Sequence, residues 1–172
     1  MSELARTFAR NRVRLGFACA AVALWLAQPT PKSLAIGFVV AVAGEALRFW
    51  AAGHLEKGRE ITSSGPYRFT RHPLYLGSTL IGIGFAIASA TMLPAVLVLG
   101  YMAITLTSAI RSEETHLTEK FGLAYPAYRE GRAPQASRRF SLSRAMRNRE
   151  YQAVLGLCAV LLLLWGKTFP PA

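Results

Sequence analysis

From Pro73 through Ile110 the chain runs for 38 consecutive residues without Asp, Glu, Lys or Arg. No small soluble domain needs such a stretch. A single helix over it would be about 57 Å long at ~1.5 Å per residue. The hydrocarbon core of a bilayer is only about 30 Å thick, so the segment must fold back on itself. Ser89-Ala90-Thr91 is the natural break. Pro94 suits the first turn of the returning helix, where its missing N–H is among the donors left unpaired anyway.

Two further uncharged runs, Leu15–Pro31 and Tyr151–Gly166, are each just long enough to span if their flanking cations snorkel. A fourth candidate, Ser33–Leu55, is interrupted by Glu45 and Arg48. The expectation is an all-α, polytopic membrane protein, one domain over residues 1–172, with helices at 13–29, 33–54, 73–89, 92–110 and 151–167. The 17% charged content fits, since soluble domains carry roughly 25%.

Charge fixes the expected orientation. With the N-terminus inside, the inner segments hold 17 of the 20 Lys+Arg residues, four before the first helix, four in 55–72 and nine in 111–150. Only Lys32 and Lys167 fall outside, as the positive-inside rule requires. The net charge of +11 therefore reflects topology and anionic headgroups, and a nucleic-acid partner is not expected. The N-terminal segment lacks a small-residue cleavage site and reads as a retained helix of a bacterial inner-membrane protein. Cys19 and Cys158 lie in different spans with no metal or redox spacing, so no metal is expected. The Arg- and Ser-rich stretch 129–150 reads as a headgroup-facing connector.

Two inner segments differ from ordinary loops. In the first, Gly65-Pro66 sets a turn and Pro73 has the locked φ of a helix's first position. Arg71 and His72 then stand just before a helix N-terminus, where free N–H groups and the dipole favour an anion. Tyr75 and Gly77 follow, the glycine permitting a close approach to the backbone. In the second segment, Glu113 and Glu114 appear abruptly after the uncharged run. Adjacent helical residues point about 100° apart, so these carboxylates do not form a proton-sharing dyad. If the helix continues, Glu113, Leu117 and Lys120 share a face, and Phe121-Gly122 ends it.

In order along the chain stand Gly65, Tyr67, Arg71, His72, Pro73, Tyr75 and Gly77, then a hydrophobic hairpin, then Glu113, Glu114, Leu117, Phe121, Gly122, Tyr125 and Tyr128. This pattern closely resembles the isoprenylcysteine carboxyl methyltransferases and related phospholipid methyltransferases, over roughly residues 60–130. The resemblance implies an S-adenosylmethionine-dependent methyltransferase with its site at the cytoplasmic face. It implies that Tyr67, His72, Pro73, Tyr75, Gly77, Glu113, Tyr125 and Tyr128 surround the cofactor. Glu113 or Glu114 would sit near the cofactor's amino group. Arg71 would meet an anionic substrate group or organise the site. After Tyr128 the chain departs from relatives that act on prenylcysteine, which tend to continue into a Pro-rich tail.

The implied substrate is lipidic or prenylated and reaches the site from the membrane. A carboxylate acceptor needs no general base, because anion and sulfonium neutralise each other as the methyl moves. An amine acceptor must first lose a proton. Arg71 favours the carboxylate. Phospholipid amine methylation is the alternative, and a non-enzymatic membrane subunit or transporter is the alternative of another class. Glu45 and Arg48 lie outside the motif. An i,i+3 pair is the simple expectation for them, and a polar contact in a substrate tunnel the functional one.

Overall fold

The computed structural model describes residues 3–132 and 138–169. Among them are seven α-helices and no strand: α1 (Glu3–Leu26), α2 (Pro31–Ala52), α3 (Pro73–Ser89), α4 (Met92–Phe121), α5 (Ala124–Arg129), α6 (Leu142–Arg147) and α7 (Glu150–Gly166). Helices α2 and α4 are long and apolar enough to cross a membrane, while Val13–Leu26, α3 and α7 are shorter apolar helices. The five expected helices correspond to α1–α4 and α7. The short α5 and α6 were not expected from the sequence.

Local chemistry explains most boundaries. The expected 13–29 helix ends at Leu26, because Pro29 and Pro31 disfavour helical backbone in the residues before them. Helix α2 begins at Pro31 rather than at residue 33, since Thr30 and Ser33 close a reciprocal capping box. The hairpin break falls at Ala90, which is left-handed at φ 52°, with Pro94 in the first turn of α4. Helix α4 continues well past residue 110 to Phe121, and Gly122, at φ 52°, ends it.

Helices α2 and α3 pack backbone to backbone. A Cβ on Gly44 would lie 2.6 Å from the Gly77 carbonyl oxygen and 2.8 Å from Leu80 Cβ. A Cβ on Gly84 would lie 2.6 Å from the Gly37 oxygen. Gly37, Ala41 and Gly44 on α2 thus face Gly77, Gly84 and Ala88 on α3, the small-residue contact by which helices associate where water supplies no hydrophobic drive. At the far end, the Gln28 N–H donates to the Ser89 carbonyl over 2.9 Å.

Helix α7 runs the height of the bundle. At the hairpin end Lys167 Nζ donates to the Leu24 and Trp25 carbonyls, both at 2.8 Å, neutralising the C-terminal end of α1. At the other end, the segment before α7 clamps the end of α2. Arg144 donates to the Glu56 carboxylate over 2.9 Å and to the Gly53 carbonyl over 2.5 Å. Asn148 Nδ2 donates to the Ala52 and Leu55 carbonyls, each at 2.9 Å. Arg138 and Arg147 also converge on Glu56, and Arg138 pairs with Glu60. Residues 138–150 of the connector expected at 129–150 are thus also a clamp on the end of α2. Several of their arginines are spent on this chain's own carboxylates and helix-end carbonyls. Residues 133–137 lie outside the described part.

Candidate functional site

The site is built where α3 begins and α4 leaves the apolar layer. Pro73 occupies the first position of α3 with His72 as its N-cap, and His72 makes no side-chain cap. Its ring is turned to α4 instead, where Nε2 lies 3.1 Å from Glu114 Oε1. An ionised carboxylate only accepts, so Nε2 carries the proton in this contact. Arg71 Nη1 donates to the same oxygen over 3.0 Å. The anion favoured at this helix N-terminus is thus supplied by the chain itself. The hydrogen bond to His72, helped by the Arg71 charge, holds the Glu114 carboxyl below its usual range despite partial burial.

The tyrosines close the site. Tyr75 stacks obliquely on His72 with ring centroids 5.7 Å apart. Tyr128 Oη donates to the Tyr67 carbonyl over 3.0 Å, fastening α5 onto the 3₁₀ turn Gly65–Arg68. Gly65 is required at that turn: its φ is +59°, and a Cβ there would meet the His54 ring at 2.5 Å. Burial, then the neighbouring Glu113 charge, pushes the Tyr67 hydroxyl up from its ordinary range. Burial does the same to Tyr125. Tyr125 is 3% exposed, and its hydroxyl has no hydrogen-bond partner among the described residues. An orphaned hydroxyl of this kind is costly, about 1–3 kcal/mol, unless something else binds it.

Two concavities flank the Thr70–His72 strip. On the polar side, a cleft of about 370 Å³ is lined by Tyr67, Arg68, Arg71, Tyr128 and Arg129, among others. No carboxylate lines it. On the apolar side, a groove of about 380 Å³ runs between α3 and α4 past His72, Tyr75, Thr79 and Met102. Met102 also lines a third space, an apolar cavity of about 340 Å³ lined by α1–α4 and α7.

The structure therefore brings Tyr67, Arg71, His72, Tyr75, Glu114, Tyr125 and Tyr128 to one place. Glu113 is exposed, on another face of α4 from the His72 contact, and acts on Tyr67 and Tyr125 through its charge. Pro73 and Gly77 stand apart from both concavities. Pro73 is fully buried, and Gly77 is packed against α2. The close approach that Gly77 permits is that of α2, with Arg48 Cγ and the Gly44 carbonyl oxygen each 2.6 Å from where its Cβ would be.

Sequence reasoning missed the partner of Arg48. Its Nε lies 2.7 Å from Glu150 Oε1 of α7 and 3.7 Å from Glu45 Oε2, so the expected i,i+3 pair is the looser of the two. The 2.7 Å contact is close but off the N–H direction, an ion pair rather than an aligned hydrogen bond. Two charges placed inside apolar helices were the available signal, and they implied a third group.

An all-helical membrane protein whose motif residues converge on a His–carboxylate–arginine contact belongs to a narrow class. A family profile for phospholipid methyltransferases matches residues 12–124, and the chain belongs to that family. It is also 33% identical over 90 residues to the nickel-cobalt-cadmium resistance protein NccN of Alcaligenes xylosoxydans xylosoxydans. That match covers 50% of this chain and 40% of the relative. No solved structure matches.

Proposed function

We propose that the protein transfers a methyl group from S-adenosylmethionine to a carboxylate on a hydrophobic acceptor drawn from the inner leaflet. The observation that carries the reading is the placement of the His72–Glu114–Arg71 contact between a polar cleft and an apolar groove. A water-borne donor and a membrane-borne acceptor need such a two-sided arrangement.

The residues of the cleft fit the donor. Arg68, Arg71 and Arg129 suit its carboxylate and the Tyr67 and Tyr128 rings suit a purine face, while behind the cleft Tyr125, its ring against Tyr128, keeps an unpartnered hydroxyl. Glu113 lies outside the cleft and acts on Tyr67 only through its charge, a negative charge to which the donor's amino group could turn. The cofactor supplies an activated sulfonium methyl. The chain orients the partners and keeps water out, and positioning of this kind is worth up to ~7–11 kcal/mol when reacting atoms are well held. Arg71 donates one nitrogen to Glu114, lines the cleft and precedes the groove residue His72, so its positive charge stands at the strip where an acceptor carboxylate would meet the donor.

Phospholipid amine methylation is the second reading. The family description favours it, and His72 with Glu114 forms an assembled proton acceptor. Labelled methyl donor, offered in parallel with a prenylcysteine analogue and with phosphatidylethanolamine, separates the two. Base-labile label released as methanol supports the ester. Base-stable label on the headgroup supports the amine and refutes the carboxylate. No transfer to either, with no heat of cofactor binding at millimolar concentration, refutes both.

A further inference from the structure

Arg48, Glu45 and Glu150 form a charged cluster among α2, α3 and α7 that the site described above does not use. Arg48 is 21% exposed at its side chain and Glu150 only 5%. The guanidinium does more than pair with acids. Its Nη1 donates to Ser78 Oγ over 2.5 Å and reaches the Leu74 carbonyl at 3.4 Å. Ser78 Oγ in turn donates to the same Leu74 carbonyl over 2.9 Å. Leu74 is the second residue of α3, two positions after His72. One side chain of α2 thus grips the first turn of α3 while its other edge is held by the first residue of α7.

The start of α7 is shaped to deliver that residue. Arg149 caps α7 in the left-handed region at φ 59°, a conformation that costs a non-glycine residue about 1–2 kcal/mol. The sharp turn it makes lets Asn148 bond the α2 carbonyls while Glu150 enters the bundle beside Arg48. Helix α7 lies beyond residues 12–124, the part of the chain that the family profile matches.

We propose that Arg48 and Glu150 are positioning residues that set the register of the first turn of α3, and so the seat of His72 against Glu114, from the C-terminal helix. The inference rests on the proposed function only for its kinetic consequence. Neither residue lines the cleft or the groove between α3 and α4, and Arg48 borders only the apolar cavity. Lysine at 48 keeps the charge beside Glu150 but lacks the planar fork that also reaches Ser78 and Leu74.

The test uses the full chain in detergent micelles with isotope-labelled histidine. The variants are Arg48→Lys and Glu150→Gln, with Asn148→Ala as the control that loosens the same segment without touching Arg48. The expected result is that the His72 ring signals shift or broaden in both variants, while those of exposed His116 stay in place. In Asn148→Ala the His72 signals should remain as in the parent. In methyl-transfer assays, kcat should fall about 10- to 100-fold with the acceptor KM unchanged. Should Glu150→Gln fail to fold, Arg48→Lys decides alone, since it leaves no buried carboxylate without a cation. An unmoved His72 signal in the folded variants, or equal movement in Asn148→Ala, overturns the proposal. The ring signals are readable without any methyl transfer, so they test the positioning role even if the proposed function fails.

Discussion

Replacing Gly44 by Ala adds one methyl group where α2 meets α3. The new Cβ would sit 2.6 Å from the Gly77 carbonyl oxygen, 2.8 Å from Leu80 Cβ and 2.9 Å from the Ile81 nitrogen. Two of these are backbone atoms and cannot rotate away. Restoring an ordinary 3.4 Å contact to Gly77 means that α3 retreats by about 0.8 Å. Overpacking of this kind costs about 1–3 kcal/mol. For a chain of this size that is roughly 3–10 °C in Tm. If the shift reaches the start of α3, the 3.1 Å contact between His72 and Glu114 lengthens towards about 3.9 Å, beyond hydrogen-bond range. Thermal unfolding in detergent, followed by tryptophan fluorescence, gives the stability change, and calorimetry gives cofactor affinity. Gly100→Ala is the matched control, because a Cβ there meets nothing within 4 Å. On helix propensity it should be neutral or stabilising by up to about 1 kcal/mol. If Gly44→Ala unfolds with Gly100→Ala and binds cofactor as well as the parent, the backbone contact between α2 and α3 is refuted.

Glu114→Gln should weaken cofactor binding by a factor of at least ten or so, because the oxygen that Arg71 and His72 share loses its negative charge, a charge-assisted contact worth about 1.5–3 kcal/mol, and calorimetry reads the change. The depressed Glu114 pKa makes its stabilisation complete above the unfolded carboxyl value and lost as pH falls through the folded one. The Tm of the parent should therefore drop on acidification more steeply than that of Glu114→Gln. Tyr128→Phe removes the bond to the Tyr67 carbonyl and should cost about 1 kcal/mol in denaturant unfolding. Reporter fusions after residue 150 and after Ala172 should report opposite sides of the membrane, since α7 reaches from Glu150 beside Arg48 to Lys167 beside Leu24. Agreement between the two reporters would remove α7 from the spanning set.

The parts of the fold that local chemistry determines were legible in the sequence. Pro73 announced the start of α3, Gly122 the end of α4, and the uncharged run its own reversal at Ala90. The convergence of His72 with Glu114 was legible only as a resemblance between two distant segments, because a 42-residue separation carries no periodic signal. Arg48 and Glu150 were harder still. Their 102-residue separation is bridged by a turn at Arg149, a residue that gives no hint of positive φ. Gly77 shows how such a signal stays ambiguous. A glycine at a helix start signals that something comes close, but not what, and here it is a neighbouring helix. The small residues of α2 and α3 did carry a readable spacing, Gly37, Ala41 and Gly44, which marks an interface only once the partner helix is known.

The groove between α3 and α4 has a consequence for how the protein should be assayed. An acceptor that arrives through it travels in two dimensions, by lateral diffusion among lipids. The concentration that governs occupancy is then the acceptor's mole fraction in the bilayer or micelle, not moles per litre of buffer. Adding inert detergent at constant acceptor should slow turnover, and adding buffer at constant micelle composition should not. A water-soluble donor entering through the arginine-lined cleft, as proposed, would instead obey bulk concentration. One reaction would thus follow two concentration scales, divided at the Thr70–His72 strip.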